Sequence, residues 1–401
     1  MWFVNGTVVD VLTGEVLPNR NVEVDQRGRI AQVTSTTPSP NTAGPDVVDL
    51  AGRFLLPGMI SCHTHLSVVF PFSETDENEN PAITAYRAAT RAGDALQAGI
   101  TTLRCVHEQH QIDLALRTAA QRGWIQAPRI FGAGRAISIP DGHGQGAGCS
   151  YAEGHDGFYR AALAELAAGA DHVKIFINGG LARAGESPEN AEMTDEEIAG
   201  AVEAAQKHDT YVVAHAGESK AIMQALGQGV RSFEHIYQLD ETTASALASA
   251  GAYVTPTLCV TRSESWMRQK GFAEASIQNA LAASEEHLAS VKRAIKAKIP
   301  LVNGTDYPPG DVVDGIPAAL HELFLMFDAG MTPLAALQSI SSTAAALLNH
   351  SDDIGQIAPG FVGDFIAVDE NPLQNIEALR NISLVTQAGR VVRNSQRILT
   401  F

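Results

Sequence analysis

Between residues 57 and 349 the chain alternates short apolar runs with alanine-rich stretches, and it does so eight times. The strand candidates are 55–65, 100–106, 128–136, 172–178, 210–215, 230–236, 252–258 and 299–305. The helix candidates between them are 84–98, 112–122, 156–169, 194–208, 218–227, 240–250, 271–297 and 315–328, with a last one over 332–349. Thr332-Pro333 reads as an N-cap followed by proline in the first turn, and Thr194-Asp195-Glu196-Glu197 as a capping box. Eight evenly spaced units predict a distorted (β/α)8 barrel of the TIM type, class α/β. The competing doubly wound sheet does not require such even spacing.

The two ends have a different texture. Residues 1–56 hold short β-branched segments broken by turns, such as Phe3-Val4-Asn5-Gly6-Thr7-Val8-Val9 and Val22-Glu23-Val24 ahead of a turn at Gly28. Hairpins on that scale bury little by themselves. Residues 353–401 carry the same pattern in Phe365-Ile366-Ala367-Val368 and Leu384-Val385-Thr386. The expected organisation is therefore a small composite β-sandwich domain from 1–56 and 353–401, with the barrel domain over 57–352.

The polar residues that break the apolar runs fall at the C-terminal ends of the strand candidates. They are His63 and His65 after the first, Lys174 in the fourth, His215 after the fifth, His235 after the sixth and Asp306 after the eighth. In a barrel these ends form a single mouth, where active sites lie. His63 and His65 are two apart, so a strand turns both to one face. Paired neutral imidazoles suit zinc and similar ions, and a carboxylate at a strand end can ligate a metal and exchange a proton with water. Taken singly, each of these residues also fits a core or surface role, and a lysine at a strand end can snorkel or pair with an acid. A neutral buried lysine has another option, to take up carbon dioxide as a carbamate whose two oxygens can bridge two cations. Glu234, next to His235, is expected to point the opposite way.

Composition excludes several functions. Lys plus Arg is 28 and Asp plus Glu is 45, a formal charge of -17, which argues against nucleic-acid and anionic-membrane partners. The N-terminus shows no signal-peptide pattern, no apolar run is long enough to span a bilayer, and the four cysteines lack metal or redox spacing. The expected setting is cytoplasmic. Gly142-His143-Gly144-Gln145-Gly146 lacks the Gly-Lys-Ser/Thr ending of a phosphate loop, and no dinucleotide-binding fingerprint follows a strand.

As an ordered set, the His-Thr-His at 63–65, Lys174, His215, His235 and the Gly-Thr-Asp at 304–306 resemble the amidohydrolase superfamily. So do the Pro57-Gly58-Met59-Ile60 lead-in and the late Gly355-Gln356-Ile357-Ala358-Pro359-Gly360 segment. The resemblance extends over nearly the whole chain. It implies two divalent metal ions, zinc by default: one held by His63 and His65 with Asp306, the other by His215 and His235, bridged by carboxylated Lys174. Within the superfamily the chain is similar to the branch of Xaa-Pro and Xaa-Arg/Lys dipeptidases, ochratoxin-type amidases and imidazolonepropionase-like proteins. That similarity rests on Val173 to Gly180, Ser187-Pro188 and Val213-Ala214-His215-Ala216. The chain departs from the branch at Asp141 and at Ile236-Tyr237, where glycine is commoner, and in Thr101-Thr102-Leu103-Arg104-Cys105-Val106-His107.

What the resemblance implies is a binuclear metal-dependent hydrolase of amide or peptide C–N bonds. A hydroxide shared by the metals attacks, Asp306 acts as general base and then acid, and His143 donates to the carbonyl oxygen. The leading substrate expectation is a dipeptide or N-acyl amino acid. The alternative is a cyclic amide, urea, carbamate or aryl amide, and a remote one is a non-catalytic binding module. A single-metal deaminase fits Lys174 poorly. Arg183, Tyr237 and His107 are candidate substrate contacts, with Phe70 and Phe72 in a neighbouring loop. By similarity the protein is expected to be a homo-oligomer.

Overall fold

The computed structural model describes residues 1–36, 46–181 and 186–395. The repeats close into the distorted barrel in two parallel groups of strands. One holds Met59–Thr64, Ile100–Cys105 and Arg129–Gly132. The other runs through Val173–Phe176, Val212–Glu218, Ser232–Gln238 and Tyr253–Thr255, with the short Ile137–Ser138 and Ser150–Tyr151 strands beyond Val173–Phe176. The expected third strand therefore stops early and is followed by a second short piece.

The expected eighth strand is reduced to one bridge between Leu301 and Val254. Its remaining backbone groups close the barrel singly. Asn303 O accepts from Cys62 N–H at 2.7 Å, and His63 O accepts from both Thr305 N–H and Asp306 N–H at 2.9 and 3.1 Å. Two donors converging on one carbonyl end a regular ladder. Gly304 allows this approach, since a Cβ there would lie 2.5 Å from His63 N.

Helices form at Pro81–Gln97, Ile112–Gln121, Gly154–Ala167, Asp195–Lys207, Ser219–Gln228, Glu241–Ala250, Glu274–Lys296 and Ala318–Asp328, close to expectation. The capping box at Thr194 is present, with Thr194 Oγ1 accepting from Glu197 N–H at 3.3 Å and Glu197 Oε2 accepting from Thr194 N–H at 2.9 Å. The last helix divides into Pro333–Ser339 and Ser342–Leu347. The cause is barrel closure: Ile340 O accepts from Ile60 N–H and Ser339 O from Asn303 N–H, so two carbonyls serve strands instead of the next helical turn.

Both chain ends join one sheet. Its path runs from Arg390–Asn394 through Leu384–Gln387, Phe365–Val368, Phe54–Pro57, Trp2–Val9 and Val16–Val24 to Ile30–Thr34. Hydrogen bonding is continuous, yet the sheet curls until its outer hairpins meet. Gly363 N–H donates to Gly28 O at 2.9 Å and Gly389 N–H to Gly363 O at 2.8 Å. Alternation along the strands sends Leu55 and Phe365 to the inner core with Phe3, Val22 and Ile30, and Leu56 and Ile366 to the barrel side with Val9 and Val385. Only Gly58 separates Phe54–Pro57 from the first barrel strand, and a Cβ there would meet Thr101 Oγ1 at 2.3 Å. The sheet thereby fixes where the strand carrying His63 begins.

Candidate active site

Strand geometry turns His63 and His65 into the barrel mouth, while Thr64 turns away and donates its hydroxyl to Tyr307 O at 2.6 Å. Each imidazole is held from behind. His63 Nδ1–H donates to Glu234 Oε2 at 2.6 Å, and His65 Nδ1–H to His107 O at 2.9 Å. Their Nε2 atoms converge on one oxygen, Asp306 Oδ1, at 3.0 and 2.9 Å. Burial works to raise the Asp306 carboxyl, but the His63 charge and the hydrogen bonds from His63 and His65 outweigh it and hold the group ionised, well below the usual carboxylate range. For His65, burial favours the neutral ring and Asp306 more than reverses that.

Glu234 does not point away as expected. His235 and Ile236 both have left-handed backbones, φ 75° and 54°, which breaks the two-residue alternation of their strand. Glu234 faces inward with Ser232, and His235 is turned to the mouth as well. Beneath the site Glu234 pairs with Arg104, whose Nη2 lies 2.8 and 3.0 Å from the two carboxylate oxygens. Arg104 also donates to Ser232 Oγ, Thr255 Oγ1 and Cys62 O, and is fully buried. Burial opposes the Glu234 charge, but Arg104 and His63 hold the group ionised. A buried pair satisfied this completely is costly to break from one side, on the order of 3–5 kcal/mol.

The other half of the mouth is built differently. His235 Nδ1–H donates to Thr257 Oγ1 at 2.8 Å, and His215 Nε2–H to Gly179 O at 3.3 Å. His235 thus presents Nε2 and His215 presents Nδ1. Burial first, then neighbouring positive charge, keeps both rings neutral. Lys174 lies in the Val173–Phe176 strand, 1% exposed, and its Nζ has no hydrogen-bond partner among the described residues. Burial lowers its pKa from 10.5 to about 8, against the pull of Glu234 and Asp306. One ligand atom each of His63, His235 and Asp306 lie within 4.8 Å of one another, so this trio draws on both halves.

His143 reaches the mouth from the loop before Ser150–Tyr151 and stacks on His215 at 4.3 Å. Two carboxylates from the opposite loop hold it: Nδ1–H donates to Glu186 Oε2 at 2.7 Å, and its backbone N–H to Glu192 at 2.9 Å. His107 lines the cavity with both nitrogens engaged, Nδ1 accepting from Ala136 N–H and Nε2–H donating to Ala147 O. Tyr237 stacks behind His235 at 5.3 Å and is not among the residues lining the cavity. Arg183 lies outside the described residues. Phe70 and Phe72 do line the cavity, together with Phe176 and Phe272.

Sequence reasoning thus located the residues that meet at the mouth and missed those that hold them. Glu234, Arg104, Thr257, Glu186 and Glu192 carry no motif, because what matters about them is a partner far along the chain. Phe272 sat unremarked inside a stretch expected to be helical. The strand-end rule could have raised Glu234, had the left-handed turn at His235 been foreseeable.

The amidohydrolase family profile matches residues 54–392. Ochratoxinase from Aspergillus niger is 28% identical over 371 residues, covering 83% of this chain and 73% of that protein. The crystal structure of a prolidase complexed with N-methylphosphonate-L-proline superposes with a TM-score of 0.87 at 26% identity, covering 98% of this chain and 99% of the other. A Xaa-Pro dipeptidase with methionine bound in its active site gives 0.85 at 25% identity, over 97% and 98% of the two chains.

Proposed function

The chain belongs to the amidohydrolase family and is a hydrolase acting on C–N bonds, and from that premise we propose a binuclear metal-dependent amidase, with a dipeptide or N-acyl amino acid as substrate. The observation that carries the reading is the Lys174 amine, buried and with no hydrogen-bond partner among the described residues, in a cavity it shares with His63, His65, His215, His235 and Asp306. A buried donor left unsatisfied costs roughly 1–3 kcal/mol, so a chain keeps one where a guest completes it. The donor set fits such guests. The His215 and His235 rings are neutral, Asp306 is ionised, and the hydrogen bond behind each imidazole fixes which nitrogen faces inward. His63, His65 and Asp306 would hold one ion and His215 and His235 the other, with the carbamate of Lys174 between them.

Bound divalent ions would supply Lewis acidity and a water acidic enough to react at neutral pH. Asp306, ionised and within 3.0 Å of both histidines beside it, takes the proton of the attacking water. It returns that proton to the nitrogen as the C–N bond breaks. His143, with Nδ1–H committed to Glu186, turns Nε2–H toward the carbonyl oxygen as charge builds there.

The test is a metal assay joined to a substrate panel of N-acyl amino acids, Xaa-Pro and Xaa-Arg dipeptides, aryl amides, ureas and lactams. Two metals per chain with turnover of dipeptides or N-acyl amino acids is the expected result. Turnover confined to lactams, ureas or other uncharged compounds would refute the substrate assignment.

A further inference from the structure

The cavity has two aromatic walls, and they adjoin different chemistry. Phe72 lies parallel to His143 at 6.4 Å, and Phe176 meets the same imidazole edge-on at 5.1 Å. Phe70 and Phe272, which line the same cavity, lie nearly parallel at 6.4 Å, both packed on Trp266. Trp266 stacks on Tyr307 at 3.7 Å, and Tyr307 directly follows Asp306. This second wall is stiff: Trp266 Nε1–H donates to Asp311 and Tyr307 Oη–H to Cys259 O, both at 2.8 Å. Phe70 and Phe272 nevertheless stay only half-buried, with ring surface facing the cavity.

We infer that this wall is the subsite for the leaving amine, and that the preferred amide carries an aryl or arylalkyl group on its nitrogen side. The inference rests on the roles proposed above for Asp306 and His143. If Asp306 delivers the proton to the departing nitrogen, that nitrogen and its substituent lie on the Asp306 side, against Phe70 and Phe272. The carbonyl oxygen then lies toward His143, and the acyl group passes Phe72. Among the described residues lining the cavity, the ones on the amine wall are hydrocarbon rings. A flat apolar ring inserted there gains offset or edge-on stacking besides leaving water, whereas a small or charged substituent leaves the wall wet.

The test is a paired series read as kcat/KM on the metal-loaded wild-type enzyme: N-acetyl-phenylalanine against N-acetyl-alanine for the amine side, and phenylacetyl-alanine against N-acetyl-alanine for the acyl side. The amine-side ring is expected to raise kcat/KM about 100-fold and the acyl-side ring less than about tenfold, the span a fully buried ring supports. Phe272→Ala is expected to cut the amine-side ratio about tenfold. Phe272→Leu, which keeps the volume without the aromatic face, should cut it less. Equal ratios on the two sides, or a larger acyl-side ratio, would overturn the inference while leaving amide hydrolysis intact. Cleavage of none of these amides counts against the proposed activity instead, and titration calorimetry of the amine products then decides the subsite. L-phenylalanine binding at least tenfold more tightly than L-alanine supports it, and equal binding overturns it.

Discussion

The two halves of the barrel mouth are made of similar residues and finished in opposite ways. On one side His63, His65 and Asp306 satisfy one another, with Glu234, Arg104 and His107 O bonded behind them. On the other, two neutral imidazoles face a lysine whose amine has no hydrogen bond among the described residues. Among the described residues the first half is hydrogen-bonded throughout, and the second leaves the Lys174 amine without a hydrogen bond. Self-satisfied networks contribute to fold and position, whereas an orphaned buried group marks where the chain gives up stability for chemistry.

Lys174→Met breaks the comparison most sharply. It removes the group proposed to bridge and keeps the volume, so on that proposal turnover is expected to fall at least ~10³-fold, with bound metal falling from two ions per chain to one. The same change should stabilise the metal-free chain. Lys174 has its pKa lowered to about 8 from 10.5, so the unfolded chain binds more protons between those values. Stability therefore rises as pH climbs from 8 to 10.5, and below 8 the burial penalty is fully present. Denaturant melts at pH 7 should show Lys174→Met gaining roughly 2–3 kcal/mol, a gain that shrinks above pH 8. No gain would mean that the amine is not an energetic burden.

His143→Ala tests the loop side of the second half. A loss of about 10²-fold in kcat with metal content unchanged is expected from removal of one donor to a developing oxyanion. A fall in metal content would make His143 a ligand instead. Glu234→Gln sharpens the first half. Metal affinity is expected to drop about 10–100-fold through the loosened His63. The effect should be confined to the ion held by His63 and His65, read by metal titration. Equal loss of both ions would show that the halves are not separate.

Much of this was legible in the sequence, and the limits have physical reasons. Barrel and end sheet follow from texture, because the two-residue and helical periods are local. His63, His65, Lys174, His215, His235 and Asp306 follow from polar residues interrupting apolar strands. What stayed hidden depends on contacts that cross the barrel. His63 and Glu234 are 171 positions apart, and Arg104 lies 130 from the same carboxylate. Two departures from the family pattern gain a meaning from the backbone. Asp141 and Ile236 stand where glycine is commoner, and both have positive φ, 59° and 54°. Aspartate tolerates that region, but a β-branched isoleucine is strained there. That strain sits next to His235, where it turns the ring into the mouth.

The central claim is that Lys174 is completed by a carbamate between two ions. The most direct measurement is a crystal structure of the protein loaded with zinc in the presence of bicarbonate, using anomalous scattering at the zinc edge. Two zinc peaks are predicted, with branched density on Lys174 Nζ reaching both, His235 bound through Nε2 and His215 through Nδ1. A single peak, or two peaks beside an unmodified Lys174 in crystals of active enzyme, would contradict the account.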